Sequence, residues 1–389
     1  MLRDIELSVR GHYHAIDSVR SAATVSKKGH GDFMVIRARL LLTASIAVGL
    51  ATASLTVAGA SSCKLLRIAE WPIQLENQTP IVDGAINGRK IGVQLNTGST
   101  NSLILRSAAD RLGLTRQVAR GYRAFGVGGE TYVEYAFVDE LKIGETVRKN
   151  WRAFVLGEHD LGKDIAVLLG YDFFEQIDVE FDLANNAVRL FHAKDCDGVS
   201  LAYWAPGGAG EVKLEASLDP NYPLIDLTVQ INGKPARAVL DSGSSASMMS
   251  RHLAASLGVT PETPGVRATA RSVDLGRKLP DSWIGPFQSF AIGDEIIRNP
   301  AIRFTDLDAS HTEIGSRVPI ATELWQMVLG ADFLRAHRVL VAHSQRKFYF
   351  TYVGGPVFTP APRRQAGTTP PDSRRPPETT PPDHAAPAR

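Results

Sequence analysis

The residues with the most chemical potential stand in two short runs, Gln94-Leu95-Asn96-Thr97-Gly98-Ser99 and Val239-Leu240-Asp241-Ser242-Gly243-Ser244. Each is an apolar stretch that ends in a small polar residue, followed by a hydroxyl residue, a glycine and a serine. Asp241 can give or take a proton in mildly acidic water and is the acid–base candidate. Asn96 has nearly the same shape, but an amide neither takes nor gives a proton near neutral pH. The hydroxyls of Thr97 and Ser242 can donate and accept at once, and Gly98 and Gly243 lack a Cβ, so another chain can come close. Other chemistry is thin. The ten histidines show no His-Glu-x-x-His spacing, and no Gly-x-Ser-x-Gly elbow surrounds Ser244-Ser245-Ala246-Ser247. Gly126-Val127-Gly128-Gly129 is not followed by the Lys-Ser/Thr of a phosphate loop. No metal and no cofactor is expected.

Such runs need a scaffold to aim them, and the chain supplies it twice. INGRKIGVQLNTGS at 86–99 returns as INGKPARAVLDSGS at 231–244, and positions 96 and 241 are 145 apart. The same offset carries LGLT at 112–115 onto LGVT at 257–260. Further along, LKIGETVRKN at 141–150 is echoed by FAIGDEIIRNP at 290–300, and VLLGYDFF at 167–174 by VLGADFL at 328–334. Short β-branched and aromatic runs broken by Asn-Gly and Ile-Gly turns predict strands and hairpins, with brief helices over 107–113, 172–176, 251–258 and 332–336. Asp172 and Asp332, which recur after Gly170 and Gly330, are read as helix N-caps. Pro206, Gly207, Gly208 and Gly210 mark a linker between the halves, giving lobes over 64–200 and 201–353. Two similar halves would pair about an approximate twofold axis.

Apolar-Asp-Ser-Gly-Ser followed by a hydrophobic strand, and later by two apolar residues and Gly, resembles the pattern of retropepsin-like and pepsin-like aspartic peptidases. Val239 to Ser244 with Val328-Leu329-Gly330 matches it closely, and Gln94 to Ser99 with Leu168-Leu169-Gly170 stands at the equivalent positions. The resemblance covers roughly 72–352 and implies an all-β fold of two pseudo-twofold related lobes with a few short helices. It implies an extended peptide or protein as substrate or ligand in a groove between the lobes. It also implies that Thr97 and Ser242 bond across the axis beside Gly98 and Gly243, and that a hairpin carrying Phe125, Gly126, Gly128 and Gly129 closes over the ligand as a flap. The segment 262–289 is too dissimilar to be assigned as a second flap.

In such a family two apex carboxyls share one proton, so one acts as acid and the other as base on a water between them. Asn96 departs from that pattern. With an amide there, Asp241 titrates alone and one of the two proton carriers is gone. Three readings follow. The chain keeps the groove and binds peptides without turnover; or it works as a hydrolase, through Asp241 with another acid or through two chains that bring two Asp241 residues together; or it is a structural envelope protein.

The net charge of +2, from 43 basic and 41 acidic residues, gives no electrostatic reason to expect nucleic acid. An internal duplicate can complete its own groove, so a monomer is the simpler expectation. Residues 37–60, with two arginines, an apolar run and small residues ending Ala58-Gly59-Ala60, have the layout of a secretory leader. Met34 just before it is read as the start, with a leader over 34–60 and an upstream extension, expected to be disordered, over 1–33. Residues 354–389 are rich in proline and polar groups and read as a disordered tail. Cys63 and Cys196 either pair as a disulfide in an exported protein, or Cys63 carries a lipid anchor as the only link to a membrane. The expected location is the periplasm or cell envelope. N-terminal sequencing of the mature protein checks this: a new terminus at Ser61 is the outcome expected of a simple leader, and a blocked Cys63 that of a lipoprotein.

Overall fold

The computed structural model describes residues 63–126, 129–157, 159–162, 164–217, 223–269, 280–307 and 325–358. The upstream extension, the leader and residues 359–389 lie outside the described residues. Within residues 61–389 the contacts do not separate into two units.

The architecture is all-β, with two lobe sheets and a third sheet that both halves build. Among the described residues the first lobe has an eight-stranded sheet and the second a nine-stranded one. The repeat is visible in their hairpins. Asn87-Gly88 and Asn232-Gly233 both take left-handed backbone, with φ of 48° and 77° in the first and 51° and 76° in the second. That is the tight turn Asn-Gly favours between antiparallel strands. It joins Thr79–Ile86 to Arg89–Leu95 and Asp226–Ile231 to Lys234–Leu240. In both lobes the second strand of this hairpin runs parallel to a short apolar strand, Ile165–Leu169 or Met327–Leu329, and ends level with it: Leu95 pairs with Leu169, and Leu240 with Leu329. Each apex run therefore leaves its sheet beside an apolar-apolar-Gly segment. The helices are short, Arg106–Arg111, Tyr171–Phe174, Arg251–Ser256 and Ala331–Ala336.

The third sheet joins the halves. Its order is Lys64–Pro72, Ala187–Lys194, Asp178–Asp182, His337–Ala342, Lys347–Tyr352, Gly210–Lys213. Val179 pairs with Val341, Glu180 with Leu340 and Phe181 with Val339, so the pseudo-twofold axis passes through the Glu180–Leu340 pair. Glu180 has no exposed surface and is held from both halves: Arg189 donates to it at 2.5 Å, and Arg338 at 2.9 and 3.1 Å. Arg189 also donates to Asp182 at 2.8 Å. A buried carboxylate needs such partners, since removing one would strand a charge in a dry interior.

At the ends of the fold two details go beyond the sequence reading. The packed chain extends past residue 353, because Val357 is buried and the Phe358 ring meets Phe290 edge-on at 4.9 Å. Cys63 and Cys196 form a disulfide, tying the edge strand to the segment that leads out of the first lobe across a separation of 133 residues. A loop of that size removes much freedom from the unfolded chain, on the order of 4–5 kcal/mol in the chain-entropy view. Cys196→Ser is expected to lower Tm by several degrees under oxidising conditions and to leave the reduced protein's Tm unchanged, as read by thermal melts with and without reductant.

Candidate active site

The two apex runs meet head-on. Thr97 and Ser242, both with no exposed surface, exchange bonds across the axis. The Thr97 amide donates to Ser242 Oγ at 3.1 Å and the Ser242 amide to Thr97 Oγ1 at 3.0 Å. Thr97 Oγ1 donates in turn to the Leu240 carbonyl at 2.8 Å, and Ser242 Oγ to the Leu95 carbonyl at 2.7 Å. Each hydroxyl thus accepts once and donates once, into the end of the opposite strand.

This clasp sets each apex side chain on the other turn's glycine. A Cβ on Gly98 would lie 2.2 Å from Asp241 Cγ, and one on Gly243 would lie 2.5 Å from Asn96 Cγ and Nδ2. No side chain larger than hydrogen fits at either place, so each apex side chain lies directly against the opposite turn. The Gly243 amide donates to Asp241 Oδ1 at 2.9 Å. Asn96 Oδ1 is buried with no hydrogen-bond donor.

Each turn is braced from behind by a second, repeated device that the sequence reading assigned differently. The helices after Gly170 and Gly330 have no side-chain cap, because the capping position is the glycine and each aspartate lies inside the first turn. Asp172 instead accepts from the Ser102 amide and hydroxyl, both at 2.7 Å, and Asp332 from the Ser247 amide and hydroxyl at 2.8 and 2.6 Å. Each serine hydroxyl accepts from the glycine amide, at 3.0 Å in the first half and 2.9 Å in the second. Ser102 and Ser247 stand 145 apart, like Asn96 and Asp241, which was the available signal for them. Gly170 and Gly330 must be glycine, since a Cβ there would lie 2.5 and 2.6 Å from the backbone of Asn101 and Ala246.

The hairpin read as a flap is present as backbone. Arg123 pairs with Tyr132, Phe125 with Glu130 and Gly126 with Gly129, while Val127 and Gly128 at its tip lie outside the described residues. In the second half Arg267–Thr269 pairs with Ser282–Pro286, and 270–279 lie outside the described residues. Among the described residues no group of His, Cys, Asp and Glu side chains converges as a metal site.

The aspartyl protease family model matches residues 82–173 and 227–333, which together make up just over half of the chain, with one apex run in each segment. The chain belongs to the aspartyl protease family. Two solved structures show how remote the individual likenesses are. The aspartic proteinase of Irpex lacteus is 10% identical, with a TM-score of 0.42, over 76% of this chain and 98% of its own. A retropepsin-like aspartic protease from Rickettsia conorii is 20% identical, with a TM-score of 0.25, over 34% of this chain and 95% of its own. No curated protein matches the sequence.

Burial gives the brace in the second half a pH dependence. It raises the Asp332 carboxyl to about 6, against the pull of the Ser247 and Phe333 donors. A carboxyl whose folded value lies above its ordinary one stabilises the fold fully below that ordinary value, near 3.8, and loses the effect as pH climbs through about 6. His343 acts in the other direction. Burial pushes it down to about 4, so its contribution is lost as pH falls from the ordinary 6.5 toward that value. Asp332→Asn keeps an oxygen for Ser247 and removes the charge. Its Tm is expected to exceed that of the native chain by on the order of 5 °C at pH 7.5, and the difference should shrink to nothing near pH 4; an equal difference at both pH values would show that the charge is not the cause.

Proposed function

We propose that this protein is an aspartic-type endopeptidase of weakened activity, in which Asp241 is the one acid–base residue and an extended peptide binds between the two halves. The observation that carries the reading is the reciprocal Thr97–Ser242 clasp, which sets Asp241 and Asn96 against opposite glycines. In the hydrolysis this supports, Asp241 takes a proton from a water, whose oxygen attacks the peptide carbonyl carbon. The C–N bond then breaks, and the proton on Asp241 passes to the leaving nitrogen. Asn96 can orient the water or donate its amide N–H to the carbonyl oxygen as charge develops there, but it cannot supply the second proton. The loss of one general acid–base group typically costs about 10²–10⁴-fold in rate. The hairpin of Phe125, Gly126, Gly128 and Gly129 is proposed to cover the bound peptide.

A second reading is favoured by the same Asn96: a protein that holds extended peptides without cleaving them. Action outside the cytoplasm is proposed too, supported by the leader-like segment and by the disulfide, which engages the Cys63 sulfur that a lipid anchor would need. A single chain with both apex runs supports a monomer.

The deciding assay is cleavage of a generic peptide mixture from pH 3 to 8. Asn96→Asp is expected to raise the rate about 10²-fold or more on the acidic side, and Asp241→Ala to abolish whatever the native chain shows. Native cleavage that survives Asp241→Ala would overturn the catalytic assignment. Peptide binding without cleavage in the native chain would establish the second reading.

A further inference from the structure

The duplication makes position 94 the counterpart of Val239, since both stand two residues before an apex. In an extended strand successive side chains face opposite ways, so Gln94, between the core residues Val93 and Leu95, and Val239, between Ala238 and Leu240, both face away from the main core, and each strand ends one residue before its apex. Around Val239 that face is apolar. Val239 joins Leu224, Met248 and Val328 in a small cluster apart from the main core, with Tyr171 and Trp325 packed on it. Around Gln94 it is polar. Gln94 Nε2 donates to Thr79 Oγ1 at 2.8 Å, and Thr79 Oγ1 donates to the Glu76 carbonyl at 2.9 Å. The threonine's proton is spent on that carbonyl, so the Gln94 amide must present its nitrogen to Thr79 and turn its oxygen away. That oxygen, on a residue only 4% exposed, has no donor.

A buried acceptor without a donor is unfavourable by roughly 1–3 kcal/mol, and the other half shows that valine fits the equivalent place. Retaining a glutamine there, with its orientation fixed by its hydrogen bond to Thr79 and by that threonine's own bond to the Glu76 carbonyl, is what a binding site requires and packing does not. The Asn96 oxygen two residues along is also without a donor. We infer that Gln94 is a specificity residue: its side-chain oxygen receives a hydrogen bond from a hydroxyl, amide or ammonium group of a peptide side chain bound next to the apex, while the Val239 side of the groove takes an apolar one. The preferred ligand is therefore a peptide with a donor-bearing residue on one side of the apex and a large apolar residue on the other. This rests on the peptide-binding reading above.

The test is equilibrium binding of a labelled extended-peptide library, varied one position at a time, to the full chain and to Gln94→Leu and Gln94→Met. Methionine keeps the unbranched shape, so it decides the matter should the leucine variant not fold. Both variants lack the acceptor. They are expected to lose about tenfold in affinity for peptides whose responsive position is Ser, Thr, Asn, Gln or Lys, and to bind peptides with Leu or Met there at least as well as the native chain does. If the native chain and both variants rank the library identically, the role of Gln94 is overturned and peptide binding stands. If the native chain binds no peptide and Asn96→Asp cleaves none, the peptide reading falls and this inference with it.

Discussion

Two hydroxyls hold this molecule's chemistry in place. Thr97 and Ser242 each accept a backbone N–H from the other's turn and donate to the carbonyl at the end of the other's strand, all without solvent. Because every one of these bonds crosses between halves, the clasp closes only when the two lobes meet. Thr97 without Ser242 would leave buried donors and acceptors unmatched, at a cost that a small turn could not offset. The requirement for glycine at 98 and 243 follows directly, since a clasp this tight leaves no volume beside the apex side chains.

The clasp also explains how the first half can carry an amide where acid chemistry wants a carboxyl. None of its four bonds involves the side chain at position 96. The brace behind it engages Ser102, Asp172 and Gly170, again without touching that side chain. Folding therefore does not depend on the acid–base character of the apex. An amide and a carboxyl are near-isosteric, so the packing around position 96 accepts either one, and under the proposed function the difference between them lies in proton transfer alone.

The parts of this arrangement written in short-range pattern were legible in the sequence. Asn-Gly turns, alternating strands and the repeated apex runs are local, and their repetition placed the two halves in register. The roles of Asp172 and Asp332 were not legible, because the partner of each is a serine tens of residues away and a first-turn aspartate looks the same whether it caps a helix or reaches across to a loop. The same is true of Glu180, whose counterion Arg338 comes from the second half, 158 residues away. Cys63 left two chemistries open, and only the placement of the edge strand beside the segment after Lys194 selects the disulfide. Val357 and Phe358 are two apolar residues in a proline-rich context, and the packing of a pair that small depends on neighbours such as Phe290 that the sequence does not place beside it.

The central pair of the shared sheet has a consequence for how the duplicated chain can be divided. The axis passes between Glu180 and Leu340, so the halves are similar in shape but not in charge along the seam. The first half brings acids to it, Glu180 and Asp182, with Arg189 as its own counterion; the second half brings Arg338. A detached first half facing its own copy would set two Glu180 carboxylates against each other in a dry sheet, with Arg338 missing. A detached second half would leave Arg338 without the acid it meets across the seam. Each half has become complementary to the other and unsuited to itself, so what began as a repeat now behaves as a matched plug and socket, and the single covalent chain ensures that the right two always meet.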